Sequence, residues 1–407
     1  MLIENLAWVY YNHIVGILRI KKMKGNNTMA KKRLDQLDGM RFFMNWLIII
    51  SHFEFLDNTV FHQYVLNPSI AVNYFFMLSG FGLYYSMYLK NYQKPEGKAE
   101  GIKFALGKIK KLYIPYVICL ILCAFYRIAT RMGEYGLFKA IGITGVGVVI
   151  DLTMLQSLIP NKTIAHGVNA VCWFLSDLFI CYIFCPMLYR LIRKIKEKRS
   201  AALISIIINT AVIVLVTFAA FTVQDIVTAK TGKELLDALD YSTPYTRIFY
   251  VTAGMLIAKL YLLCEDKIEK IPVWAARIYG IILLIVAVIY LWQYPVIWIM
   301  IPHTVSRTID IFLCFAVMAG MLINKGLIST LCRLPAVADM GKDAMYLYFI
   351  QFPCIWLSIF IFNFIPLEIP IIQAIVCIIM VFFAGLLLKK ISEPLNKAIF
   401  KKGKQIE

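Results

Sequence analysis

The chain has 407 residues, of which 60 % are hydrophobic and 16 % charged, with a mean hydropathy of +0.73. A soluble domain is nearer half apolar and a quarter charged, so this composition excludes a soluble globular protein, a disordered chain and a disulfide scaffold. The formal net charge is +18, from 42 Lys and Arg against 24 Asp and Glu. In a membrane protein that excess asks which side of the bilayer collects the cations, rather than pointing to nucleic acid.

Residues 2–18 are moderately apolar but carry Glu4, Asn5, Asn12 and His13, and they lack the small-residue cleavage site of a signal peptide. Met29 opens Met29-Ala30-Lys31-Lys32-Arg33 and reads as a second translation start, with 1–28 as an upstream extension or an interfacial helix. Ten apolar runs follow: 41–57, 69–89, 112–128, 170–189, 201–223, 246–263, 273–293, 308–324, 344–362 and 368–388. An eleventh, 141–158, is interrupted by Gly142, Gly145, Gly147 and Asp151.

The basic loops decide whether that eleventh run crosses. Cytoplasmic loops collect Lys and Arg. With ten spans and both termini inside, 33 of the 42 basic residues fall inside and 8 outside, while Arg41 opens the first span. A crossing at 141–158 would place Arg190-Leu-Ile-Arg-Lys-Ile-Lys-Glu-Lys-Arg199 outside. The run is therefore expected in a long external loop, as a re-entrant or interfacial segment. The loop 224–245, with Asp225, Glu234, Asp237 and Asp240, also fits outside. The expected architecture is an all-α membrane protein, a single bundle of about ten transmembrane helices with both termini cytoplasmic. Its parts are an N-terminal extension (1–36), a membrane domain (37–395) and a basic cytoplasmic tail (396–407). No repeat of 20–50 residues is visible, nor the half-to-half similarity common in transporters.

The ten cysteines lie almost entirely within apolar runs, without a C-x-x-C pair or a Cys/His cluster of zinc spacing. They read as packing residues, and no metal site is expected.

Ionisable groups inside a span are expensive and mark function by default. The first span holds Arg41, His52 and Glu54. Arg41 and His52 are 11 residues apart, so at about 100° per residue they fall within about 20° of one helix face, about 16 Å apart along the axis. An Arg suits an anion such as phosphate, and a neutral His can take a proton from a hydroxyl. The pair suggests an anionic donor entering from the cytoplasm and proton transfer deeper in. The competing reading is an interfacial anchor and a hydrogen-bonded packing residue.

Leu37-Asp38-Gly39-Met40-Arg41-Phe42, with the spacing to His52, resembles the opening signature of the acyltransferase 3 family, which are integral-membrane O-acyltransferases. Tyr74-Phe75-Phe76-Met77-Leu78-Ser79-Gly80-Phe81 is similar to the family's F-F-x-L-S-G-F stretch. Lys108-Ile109-Lys110-Lys111 leading to Pro115-Tyr116 is similar to its R-x-x-R motif, with lysines for both arginines. Cys172-Trp173-Phe174-Leu175, Arg247-Ile248-Phe249 to Gly254, and Gly341 through Tyr348, Gln351 and Pro353 complete the ordered set. Two further departures stand out. Gln351 occupies a position where many members carry His, and Leu178 one where many carry Glu, with Asp177 beside it.

The resemblance implies acyl transfer from acyl-CoA, most often acetyl-CoA, supplied from the cytoplasm as a co-substrate with no bound cofactor. His52 would be the general base, or the carrier of an acyl intermediate. Arg41, Lys108 and Lys111 would bind the anionic donor, the lysines alternatively serving as topological anchors. Arg247 and Trp173 would hold the acceptor or an oxyanion; otherwise Arg247 pairs with the acidic outer loop and Trp173 anchors at the interface. Asp38, Glu54, Ser79, Tyr348 and Gln351 are supporting residues. Glu54 lies on another helix face from His52, and Ser79-Gly80 is expected to permit close helix approach. The expected setting is a multi-pass protein of the cell membrane, of the bacterial cytoplasmic type, with the bilayer, acyl-CoA and a glycan or lipid-linked sugar as partners and no nucleic acid. A glycan or solute transporter, and a sensor without catalysis, are the competing classes.

Overall fold

The computed structural model describes residues 34–56, 68–92, 99–364 and 369–401. The expectations about residues 1–33, including a start at Met29, lie outside the described residues. Among the described residues all regular structure is helical. A hydrocarbon phase offers backbone groups no partners, so a chain this apolar satisfies them within helices.

Thirteen α-helices follow in chain order: α1 (Asp35–Ile50), α2 (Ser69–Leu89), α3 (Glu100–Tyr135), α4 (Leu137–Leu152), α5 (Lys162–His166), α6 (Trp173–Arg193), α7 (Arg199–Thr231), α8 (Pro244–Ile268), α9 (Val273–Met300), α10 (His303–Ile323), α11 (Leu327–Cys332), α12 (Pro335–Phe362) and α13 (Pro370–Lys401). Each of the ten apolar runs has its helix. Eight of these (α3, α6 to α10, α12 and α13) are long and apolar enough to cross a membrane. The remaining two, α1 and α2, lie inside the bundle. The apolar stretch of α6 is 67 % buried, whereas those of α7, α9 and α13 are 22 % buried and turn apolar surface outward.

Two expectations need correction. The first span does not run to 57: α1 ends at Ile50, and a turn (His52 N to Ile49 O, 3.1 Å) leads into a short 3₁₀ helix at Glu54–Leu56. The run 141–158 is not a loop at its start, because its first part is α4. After Gly136, with φ of 76°, α4 folds back antiparallel on α3. Arg131 Nη1 donates to Thr144 Oγ1 (3.1 Å) near the hinge, and Tyr116 Oη to the Asp151 carbonyl (2.6 Å) at the far end. Packing against α3 outweighs the low helix propensity of the three glycines. At 16 residues α4 is about 24 Å long, short of the roughly 30 Å hydrocarbon thickness.

A close crossing joins α2 and α8. A Cβ on Gly80 would run into the Val251 carbonyl, and one on Gly254 into the Met77 carbonyl. The expected role of Gly80 in close helix approach is met. A second backbone contact sets α1 on α12, where Gly341 lies against the Asp38 carbonyl.

Two prolines inside helices are matched by asparagines from elsewhere. Proline lacks an N–H and frees the carbonyl four residues back. Pro115 frees Lys111 O, which accepts from Asn396 Nδ2 (3.0 Å). Pro353 frees Phe349 O, which accepts from Asn169 Nδ2 (3.3 Å). The second match ties the segment before α6 to the part of α12 that carries Gln351.

Candidate active site

His52 leaves the end of α1 beside α12. Its Nδ1 lies 3.0 Å from Gln351 Oε1, and its ring lies 5.2 Å from that of Phe352. Gln351 is fully buried, and its Nε2 donates to the Tyr348 carbonyl (2.8 Å). A carbonyl can only accept, so the amide is held with Oε1 toward the imidazole. Nδ1 therefore carries the proton and donates it, leaving the lone pair on Nε2. Tyr348 donates in turn from its hydroxyl to the Val171 carbonyl (2.8 Å). Gln351 thus holds the tautomer and orientation of His52, although the two are 299 residues apart.

Arg41 lies two turns and more back along α1, half-exposed and paired with Asp38 Oδ1 at 2.8 Å. Between it and His52 the residues spaced i+4 and i+7 are Asn45 and Ile48, so Arg41, Asn45 and Ile48 fall within about 60° of one another around α1, which ends at Ile50 just before His52. A small chamber of about 20 Å³ opens on that stripe, lined by Asn45 and Ile48, by Phe75 of α2, Phe174 of α6, and Ala344, Met345 and Tyr348 of α12. Asn45 is 2 % exposed, and its Nδ2 has no hydrogen-bond partner among the described residues.

Lys108 and Lys111 are both exposed on α3. Lys108 Nζ sits 5.2 Å from the Phe104 ring and acts electrostatically on Cys185 of α6. Arg41 acts on Tyr182, one turn before Cys185. Both cations therefore act on the middle of α6, one turn apart. Trp173 opens that helix, and stacked on it is His166, which lies within electrostatic reach of His52. Lys111 gives its carbonyl to Asn396, and its side chain faces outward.

Arg247 is 2 % exposed. It donates from Nε to the Tyr241 carbonyl (2.7 Å) and from Nη1 to Asn73 Oδ1 (2.5 Å), and its guanidinium lies 4.4 Å from the Tyr241 ring, 5.7 Å from Trp173 and 5.4 Å from Phe76. The ion pair expected between Arg247 and the acidic outer loop is made instead by Arg307, with Asp240 at 3.4 Å. Trp173 is buried among Phe76, Phe174 and Tyr241, with His166 stacked on it at 6.2 Å. Asp177 is fully buried within electrostatic reach of Arg247. Ser79 bonds Tyr182, and Glu54 is exposed.

Outside His166 opens a polar cleft of about 540 Å³, with Lys162, Asp237, Asp240, Tyr241 and Arg307 on its walls. His166 Nε2 lies 3.0 Å from Ser242 Oγ. Burial first, then the charge of Lys162, pushes His166 down to about 4, so its ring is neutral at neutral pH. Among the described residues no group of His, Cys, Asp and Glu is placed to hold a metal ion. All ten cysteines are free thiols, nine of them buried.

Residues 34–390 match the family model for the acyltransferase domain. The chain belongs to the acyltransferase 3 family. The chain is also similar to the acyltransferase MdmB of Streptomyces mycarofaciens, 32 % identical over 175 residues, which is 41 % of this chain. The match spans 42 % of the length of that relative. No solved structure matches.

The residues that sequence reasoning did not single out are Asn45, Asn73, Asn169, His166 and Arg307. Asn45 carried a signal, since an amide stands mid-run in Met44-Asn45-Trp46-Leu47-Ile48 four residues, about one turn, after Arg41. Asn73, Asn169 and Arg307 take their roles from partners distant in sequence.

Proposed function

We propose that this acyltransferase moves a short acyl group, acetyl first among them, from acyl-CoA to a hydroxyl of a glycan or related envelope acceptor, with His52 as general base. The observation that carries this reading is the His52–Gln351–Tyr348 chain of hydrogen bonds, which leaves Nε2 unprotonated and pointed away from its partner. The acceptor hydroxyl gives its proton to Nε2 as its oxygen attacks the thioester carbon. A C–O bond forms, the C–S bond breaks, and the CoA thiolate takes the proton back from His52.

The donor enters at the end where Arg41 and Lys108 lie, the end that the basic loops assign to the cytoplasm. Lys108 and Lys111 meet the CoA phosphates as point charges, and Arg41 meets them with its planar guanidinium fork. The acceptor enters from the polar cleft beside His166, where carboxylates and an aromatic wall suit a polyhydroxylated molecule. Trp173 and Arg247 back that wall through His166 and Tyr241.

The test uses membranes from cells expressing the full chain, given acetyl-CoA labelled in the acetyl group. Transfer of label to membrane or glycan material is expected, and His52→Ala lowers it by about 10² to 10⁴-fold. Unchanged transfer by a normally accumulated His52→Ala protein overturns the reading. Loss of solute transport with acetylation intact would establish a carrier instead.

A further inference from the structure

The chamber on the Arg41–His52 face has no role in the proton-transfer chain, yet it lies on the line between the donor's charged end and the base. Ile48 and Tyr348 each stand one turn before His52 and Gln351 respectively, so the chamber adjoins that pair on the Arg41 side. Its walls are aromatic and mutually braced: Phe174 packs edge-on against Phe75 at 6.2 Å and against Tyr348 at 5.6 Å. The single polar atom without a partner on this wall is Asn45 Nδ2, an N–H donor in an apolar space. A buried donor left unpaired is costly, which argues that a ligand atom completes it.

We infer that this chamber seats the acyl group of the donor, with Asn45 Nδ2 donating to the thioester carbonyl oxygen and the aromatic walls favouring the two-carbon acetyl chain. The inference rests on the reading above, in which His52 is the base. The lengths are compatible. Asn45 lies five residues before the end of α1 at Ile50, about 7.5 Å along its axis, and His52 follows in the turn beyond it. A base-to-hydroxyl hydrogen bond, an attack distance, a C=O bond and an N–H to oxygen hydrogen bond together span about 10 Å. During attack the carbonyl oxygen takes up negative charge, and Asn45 stabilises it through a donor already in place, without reorganisation. The volume of about 20 Å³ holds one water-sized group, which a methyl fills and a butyryl chain exceeds. Met345 and Phe75 are among the walls that bound it.

The experiment measures CoA thiol release by membranes carrying the full chain, with endogenous acceptors, using acetyl-, propionyl-, butyryl- and hexanoyl-CoA. Asn45→Leu, nearly isosteric but without the donor, is expected to lower kcat for acetyl-CoA by about 10²-fold while KM stays within about threefold of the wild type. Met345→Ala is expected to raise the ratio of butyryl to acetyl transfer by about tenfold. If Asn45→Leu does not accumulate as folded protein, the Met345→Ala ratio decides alone. Wild-type kcat in Asn45→Leu, or an unchanged chain-length ratio in Met345→Ala, overturns the inference while leaving acyl transfer standing. Absence of thiol release by the wild type above membranes lacking the protein overturns the reading of function, and this inference with it.

Discussion

Replacing Gln351 by Leu removes the acceptor of His52 Nδ1 without adding bulk. The imidazole keeps its contact with the Ile48 backbone, so the ring is loosened rather than released. The Tyr348 carbonyl that loses its amide partner remains within the hydrogen-bonded body of α12, so the damage stays local. An N–H left unpaired in such a site costs about 1–3 kcal/mol. If that cost falls on the transition state, the rate drops by about 5- to 150-fold. Gln351→Glu is the informative partner. A carboxylate accepts from Nδ1 as the amide does, so turnover returns at high pH. It also favours the imidazolium form, so the base form is reached only at higher pH. A hydrogen bond to a charged group is worth about 1.5–3 kcal/mol, which moves the acid limb of the pH–rate profile up by about one to two units. Thiol release from acetyl-CoA between pH 5.5 and 9 reads both effects. Wild-type turnover in Gln351→Leu, or an unmoved acid limb in Gln351→Glu, refutes the assignment of Gln351 as the group that positions His52.

Three further outcomes are expected. Gly80→Val forces the α2–α8 crossing apart and costs about 2–3 kcal/mol or more, whereas Gly82→Ala, into open space, is neutral or stabilising; thermal denaturation in detergent separates them. Asn169→Leu strips the Phe349 carbonyl of its partner and destabilises by about 1–3 kcal/mol, and adding Pro353→Ala, which restores an N–H to that carbonyl, recovers part of the loss in a double-mutant cycle. Because His166 titrates near 4 in the folded protein and at about 6.5 when unfolded, its contribution is fully present above pH 6.5 and is lost as pH falls toward 4. The slope is at most about 1.4 kcal/mol per pH unit, reduced by the partial exposure of the ring. His166→Asn flattens that part of the stability curve, measured against the wild type.

The bundle was legible in the sequence because its apolar runs have the length that a bilayer demands, and each of the ten has its helix. The ends were less legible. The apolar run 41–57 continues past the point where α1 stops, since hydropathy does not register the turn that presents His52 to α12. The basic loops placed the run 141–158 in an external loop, as a re-entrant or interfacial segment, but gave no sign of a helix; the face that α3 offers is worth more than the low propensity of Gly142, Gly145 and Gly147, and α4 forms. At the site, spacing alone brought Arg41 and His52 to one face. It gave no sign that the amide of Gln351, a departure from the family pattern, is the group that meets His52, because that contact joins chain positions 299 residues apart. The acidic outer loop was read as a partner for a cation, and it is one, but for Arg307 rather than Arg247.

The partners of Arg247 bear on how the chain is built. Asn73, Phe76, Trp173 and Tyr241 all precede it in the sequence, and Tyr250 follows within one turn. A ribosome adding residues from the N-terminus delivers this guanidinium to a cage whose parts are already in place, so the costliest group to insert never waits unsheltered. His52 is made early but receives Gln351 only when α12 emerges. The nascent chain can therefore house its buried cation well before it can hold His52 against Gln351, and the candidate site is among the last features that synthesis completes.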